Sequence, residues 1–166
     1  MSDWIEKAIE ESAKRGWLDR AGSAKRLNGL DQVRQRRPKE LEAALPPLII
    51  FSMSLDCGGA TYRRELSLDH AFVYLSPTLE KETHLSATWA VAHEMAHVVL
   101  GHGTERLRTK AEFDADEQAA SDLAATWVPK PPDPKNSRFL KLMEYGEKSE
   151  KAYPDHIQNS DATAED

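Results

Sequence analysis

The segment 87–101, ATWAVAHEMAHVVLG, constrains the fold more than any other part of the chain. It is almost continuously apolar, and its only ionisable residues are His93, Glu94 and His97. An unpaired buried charge is costly, so a buried helix rarely carries three such groups without a purpose. Because the two histidines are four residues apart, they lie on one helical face and can share a metal ion. The segment therefore predicts a buried helix with a metal site, as in a zinc hydrolase.

The chemistry of such a site follows from its residue types. A catalytic zinc ion has three protein ligands and one position open to water, and His93 and His97 would supply two of the ligands. Glu94 lies about 100° around the helix from His93, beside the metal rather than on it. That position suits a general base, which takes the proton of the zinc-bound water and passes it to the leaving amine. We therefore expect one Zn²⁺ per chain and a metallopeptidase, an enzyme that hydrolyses peptide bonds.

The third zinc ligand is predicted to be a carboxylate of the following helix, and two residues are alternatives. Glu117 is favoured because it begins an apolar face with small residues, which would let the two helices pack closely. Glu112 is the alternative, and Asp116, one turn further on, would then orient a zinc-bound histidine. The residues of the apolar face after Glu117 are Ala120, Leu123, Ala124, Trp127 and Val128.

His102 is a weaker candidate ligand. The metzincin pattern places a glycine three residues and a histidine six residues after the second motif histidine, and this chain has Leu100 and Gly103 there. We expect His102 to stand at the helix end, where a histidine is favourable beside the dipole, or to hydrogen-bond a ligand. Three further groups, Tyr74, His84 and His156, are weak candidates for stabilising an oxyanion.

Composition narrows the class of protein. A chain of 166 residues predicts one domain, and no apolar run is long enough to span a bilayer. The acidic, amphipathic N-terminus lacks a leader pattern, so we expect a cytoplasmic protein without membrane association. Cys57 is the only cysteine, which rules out a disulfide within the chain and a thiolate zinc cluster. The net charge of −6 argues against nucleic-acid binding, and the basic run 25–39 is predicted to be a solvated face.

The order of elements predicts an α+β fold, with a small mixed sheet packed on the HExxH helix and on the ligand-bearing helix that follows. Ser86 is the predicted N-cap of the motif helix and Gly101 or Gly103 its end. We divide the chain into a helical segment (1–45), a core (46–155) and an acidic, disordered tail (156–166). The predicted helices are 3–18, 23–36, 87–101, 110–127 and 138–151, and the strands 48–53 and 70–75.

The run HEMAHVVLGH at 93–102, followed by a Glu-x-x-Ala-x-x-Leu-Ala helix that ends near a proline, resembles the ImmA/IrrE-type metallopeptidases. These are small bacterial and phage-borne zinc proteins of the gluzincin kind, and the resemblance covers roughly residues 71–129. It implies a zincin-like fold with His93, His97 and Glu117 as zinc ligands and Glu94 as the base. It also implies that strand 71–75 forms the sheet edge along which a peptide substrate pairs.

The chain departs from the family's sequence pattern at two places, and the family also implies partners. Ser121 stands where the family commonly has Asp or Asn, and the run 125–129 is one residue short of the usual pattern, which keeps Glu112 as an alternative. The family implies a protein substrate and a regulator or antitoxin-like partner. A second hypothesis is a regulatory or interaction protein on the same scaffold, a toxin or phage-defence component with little or triggered proteolysis.

Overall fold

A computed structural model describes residues 4–36, 48–51, 59–63, 71–102 and 109–132. Within these ranges the chain is α+β, as predicted, with four helices and three strands. The predicted helix 138–151, the acidic tail, Cys57 and His156 lie outside the described residues. In chain order the elements are α1 (Trp4–Lys14), α2 (Ala24–Arg36), β1 (Leu48–Phe51), β2 (Gly59–Arg63), β3 (Ala71–Leu75), a 3-10 helix (Pro77–Lys81), α3 (His84–Leu100) and α4 (Lys110–Trp127).

The three strands form a mixed sheet in the order β1-β3-β2. β1 runs parallel to β3, with Leu48 opposite Ala71, and β2 runs antiparallel to it, with Gly59 opposite Leu75. The prediction that β3 is a sheet edge is therefore wrong, because it is paired on both sides. Its burial pattern agrees with a central strand, since four of its five residues are buried and do not alternate with exposed ones.

The motif helix α3 is buried over most of its length among the described elements. Every residue from Ser86 to Val98 is buried, and a helix that is apolar all round must be covered on all sides. It packs against α2, α4 and the sheet. The same hydrophobic core includes residues of the N-terminal helices, such as Ile5 and Leu30, so α1 and α2 share the core with the motif helix.

Both ends of α3 have well-formed caps. The Thr83 hydroxyl accepts a hydrogen bond from the Ser86 amide at 3.1 Å, so the predicted N-cap, Ser86, is wrong by three residues. The helix therefore begins at His84, which is exposed. At the other end Gly101 has φ 71°, the left-handed conformation expected of a terminating glycine. Within the described part of the chain, no helix combines the length and apolarity that crossing a membrane requires.

The basic run 25–39 is not simply a solvated face. Arg26 is only 2% exposed, and its guanidinium donates to Glu80 Oε1 at 3.0 Å and to the Leu75 carbonyl at 3.3 Å. Further along, Arg36 donates to the Trp127 carbonyl at 2.8 Å, at the end of α4 where a cation is favourable. These two cations therefore hold elements together, which a count of charges along the sequence does not reveal.

Candidate metal centre

Two buried histidines of α3 face one carboxylate of α4. His93 is 3% exposed and His97 8%, and their Nε2 atoms lie 3.1 Å apart. The carboxylate of Glu117 reaches both rings, with Oε2 at 3.0 Å from His93 Nε2 and Oε1 at 3.3 Å from His97 Nε2. The helical spacing of the motif explains why the two rings lie side by side.

The separations between these atoms fit a metal ion. Zinc binds histidine nitrogen and carboxylate oxygen at about 2.0–2.2 Å, so tetrahedral ligand atoms are about 3.3 Å apart. The ligand atoms of His93, His97 and Glu117 all lie within 4.8 Å of one another, and the 3.1 Å separation of the two histidine nitrogens is close to the tetrahedral value. Among the residues that the structure describes, no second group of histidine, cysteine and acidic side chains has this geometry.

The two histidines also determine the ionisation of Glu117. Burial alone would raise the pKa of this carboxyl, but hydrogen bonds from His93 and His97, with their charges, lower the pKa to about 2. Glu117 therefore remains an anion at neutral pH, which is the form that binds a cation.

Glu94 follows His93 directly on α3 and is 5% exposed. Glu94 is therefore as deeply buried as the two histidines and stands next to one of them along the helix. Its position on the same rigid helix as both histidines fixes its distance from them.

Glu117 and Glu112, the two candidates for the third ligand, have different surroundings in the structure. Glu117 lies at the histidines, whereas the carboxylate of Glu112 accepts hydrogen bonds from the amide and hydroxyl of Thr109, at 2.9 and 3.1 Å. The Glu112 amide in turn donates to the Thr109 hydroxyl, which completes a capping box at the start of α4. The Thr-x-x-Glu spacing at 109–112 is a sequence signal for this role, which was overlooked when Glu112 was kept as the alternative ligand.

Two more side chains, His102 and Ser121, contact the motif histidines, and a third, Asp116, contacts His102. His102 Nδ1 lies 3.0 Å from His97 Nδ1, and Asp116 Oδ1 lies 3.3 Å from His102 Nε2. The Ser121 hydroxyl is 3.4 Å from His93 Nδ1. His102 is thus placed as a hydrogen-bonding partner of a candidate ligand rather than in the ligand group, as its register predicted.

Two candidates for stabilising an oxyanion, Tyr74 and His84, are not part of the group formed by His93, His97 and Glu117. Tyr74 is buried within β3, and the exposed His84 begins α3, more than two turns from His93. Two tryptophans, Trp89 and Trp127, are buried in the core. Trp17 stacks under Arg15 with 5.0 Å between the guanidinium carbon and the ring centroid.

Comparison of the chain with protein-family models, with curated proteins and with solved structures found no match. The resemblance to the ImmA/IrrE-type metallopeptidases therefore rests on the motif residues alone. Any function assigned to the chain is therefore supported by the geometry of the site and not by a related protein.

Proposed function

We propose that this chain is a zinc-dependent metallopeptidase that hydrolyses a peptide bond in a specific protein partner, as an ImmA/IrrE-type protein would. One observation carries the proposal: ligand atoms of His93, His97 and Glu117 lie within 4.8 Å of one another, and the buried Glu94 follows His93 on the same helix. Two imidazoles and one carboxylate are a frequent donor set for catalytic zinc, whereas structural zinc sites commonly use four ligands that include cysteine.

The residues present fit a zinc ion and divide the work of hydrolysis between them. His93, His97 and Glu117 would hold the ion. When bound, zinc would polarise the substrate carbonyl and make a water molecule a better nucleophile. Glu94 accepts the proton of the attacking water and returns it to the leaving amine, which departs as the peptide bond breaks. The apolar residues around Glu94 limit water access and strengthen these interactions.

The sheet is where an extended substrate would pair. Among the described strands β3 is central and β1 and β2 are the outer ones, so we place such a peptide on β1 or β2. Of these two strands, β2 makes the more extensive contact with the motif helix α3. We therefore place the substrate along β2, in place of β3.

The test separates metal binding from catalysis. Glu94→Gln keeps the size of the side chain but removes the base, so we expect about one zinc per chain and hydrolysis reduced by at least about 100-fold. His93→Ala should lose the zinc. Zinc is measured by elemental analysis, and hydrolysis by mass spectrometry of a mixed peptide library. Asp122→Asn, an exposed acid-to-amide change on α4, is the matched control.

Each outcome distinguishes the hypotheses. Hydrolysis that survives Glu94→Gln would contradict the proposed role of this residue. A wild-type protein that binds zinc but cleaves neither the library nor a co-purifying partner would favour the regulatory or interaction protein. A wild-type protein without affinity for zinc would refute both the metallopeptidase and the regulatory or interaction protein on the same scaffold.

A further inference from the structure

Nε2 of His97 faces His93 and Glu117, and the other ring nitrogen, Nδ1, has a partner of its own. His97 Nδ1 lies 3.0 Å from His102 Nδ1, and the other nitrogen of His102, Nε2, lies 3.3 Å from Asp116 Oδ1. Two imidazoles and a carboxylate thus stand in series. The side chains of His102 and Asp116 are 13% and 25% exposed, so much of this series is shielded from water.

The turn after α3 places His102 in this series. The His102 amide donates to the His97 carbonyl at 2.9 Å, and the Gly101 amide donates to the Val98 carbonyl at 3.1 Å. With Gly101 in the left-handed conformation, this is the Schellman pattern, which turns the chain back over the last helical turn. His102 is consequently held against His97 by backbone geometry.

The proton positions along the series are mutually determined. Nε2 of His97 faces His93 and Glu117, so it must be unprotonated to bind a metal, and the proton of His97 then lies on Nδ1. That N–H donates to Nδ1 of His102, whose own proton must lie on Nε2 and is donated to Asp116. Of the neutral tautomers of these two rings, this arrangement leaves Nε2 of His97 available to bind a metal.

His93 has a weaker partner in the corresponding position. Its Nδ1 lies 3.4 Å from the Ser121 hydroxyl, close to the upper limit for a hydrogen bond. The His97 contact to His102 is shorter, at 3.0 Å, and the His102 ring is itself held by the Asp116 carboxylate. The two motif histidines are therefore oriented by unequal means.

We propose that His102 and Asp116 are positioning residues that fix the tautomer and orientation of His97 for metal binding, and that they contribute more to metal affinity than Ser121 does. The inference rests on the proposed function only in taking His97 as a metal ligand. It requires no peptide hydrolysis. Partners of this kind commonly change metal affinity by about 10- to 100-fold.

The experiment measures zinc affinity by competition with a chromogenic chelator, together with the visible absorption spectrum of the cobalt-substituted protein. We expect Asp116→Ala and His102→Phe to weaken zinc binding by about 10- to 100-fold and to alter the cobalt bands. Asp116→Asn keeps an acceptor without the charge and should fall between Asp116→Ala and the wild type. Ser121→Ala should have the smallest effect of the variants that touch the histidines.

The matched control is Asp114→Ala on the same helix. Asp114 is an exposed acid that pairs with Lys110 at 3.0 Å, so its loss should leave zinc affinity and the cobalt spectrum unchanged. Thermal unfolding of the metal-free variants detects any general loss of folding. If Asp116→Ala and Asp116→Asn are folded and bind zinc as tightly as the wild type, the proposal is overturned.

The outcome also distinguishes this inference from the proposed function. A wild-type protein that binds neither zinc nor cobalt overturns both. One that binds zinc without hydrolysing peptides leaves the positioning role fully measurable, because affinity and the cobalt spectrum do not depend on turnover.

Discussion

At the scale of single residues, Glu112 and Glu117 have different tasks although they stand on the same helix. Glu117 faces both histidines, whereas Glu112 caps the start of α4. Loss of an outer partner already costs about 10- to 100-fold in metal affinity, so we expect Glu117→Ala to cost more than about 100-fold in zinc affinity. Glu112→Ala should leave zinc affinity unchanged and lower the free energy of unfolding by about 0.5–1 kcal/mol.

Zinc affinity by chelator competition and chemical denaturation of the metal-free protein check this pair of variants together. Each variant is the control for the other, because both remove an acidic side chain from α4. Retention of zinc by Glu117→Ala, with its loss in Glu112→Ala, would reverse the assignment of the third ligand.

How much of the site is predictable differs from residue to residue. The spacing of His93, Glu94 and His97 already places these groups on one helix, and Glu117 is favoured because its face of α4 is suited to close packing. The sequence predicts that His102 hydrogen-bonds a ligand and that Asp116 orients a histidine beside a Glu112 ligand, but their contacts in series with His97 cannot be read in the same way. They depend on the turn at Gly101 and on the register of α4 against α3, and both result from tertiary packing.

At the scale of elements, α2 and α3 approach each other at a glycine. A Cβ added at Gly29 would lie 2.9 Å from both Cβ and Cγ2 of Val91. Alanine would gain up to about 1 kcal/mol in helix propensity, but overpacking costs about 1–3 kcal/mol. The branch point of Val91 cannot rotate away, so we expect Gly29→Ala to lower the free energy of unfolding by about 1–2 kcal/mol.

Chemical denaturation of the single and double variants checks the contact itself. Val91→Ala removes two of the three Val91 atoms that the added Cβ would meet, Cγ1 and Cγ2, and leaves only Cβ, so the double variant should be less destabilised than the sum of the two single changes. Strictly additive effects would show that α2 and α3 are not in close contact at this position.

The helices were predictable because their patterns are long, and the sheet was predictable only in part. α4 has the predicted bounds, and β1 and β3 lie within the predicted strands. β2 was not predicted, because a five-residue strand that starts at a glycine resembles the end of a turn. Without it, β3 could not be recognised as central: the pairing partner of a strand is a long-range property that its own sequence does not encode.

At the scale of the whole molecule, one carboxylate joins the N-terminal helices to the segment that leads into the motif helix. Glu80, in the 3-10 helix, accepts hydrogen bonds from the backbone amides of Lys25 and Arg26, at 3.0 and 3.2 Å, and from the Arg26 side chain. It therefore occupies the N-terminus of α2 and neutralises the buried guanidinium. Composition predicts a solvated basic run here, because it cannot show which cation turns inward.

The contact of Glu80 with α2 makes the free energy of unfolding depend on pH, and the direction follows from the pKa of Glu80. Burial raises the pKa of Glu80, but the amides of Lys25 and Arg26 and the Arg26 side chain lower it more, so the pKa is below its ordinary value of 4.5. A lowered pKa in the folded state stabilises the protein above the unfolded value, and this contribution is lost as the pH falls through the folded value.

We therefore expect Glu80→Gln to lower the free energy of unfolding by about 1–3 kcal/mol at neutral pH, because the Arg26 charge loses its partner while it remains buried. The difference from the wild type should shrink as the pH falls below about 4.5, where the wild-type carboxylate also becomes protonated in the unfolded chain and then in the folded one. Urea denaturation across this range measures it, with the exposed Glu10→Gln on α1 as the control. A difference that is independent of pH would mean that the charge of Glu80 is not what joins α2 to the motif helix, and that packing alone holds the two parts together.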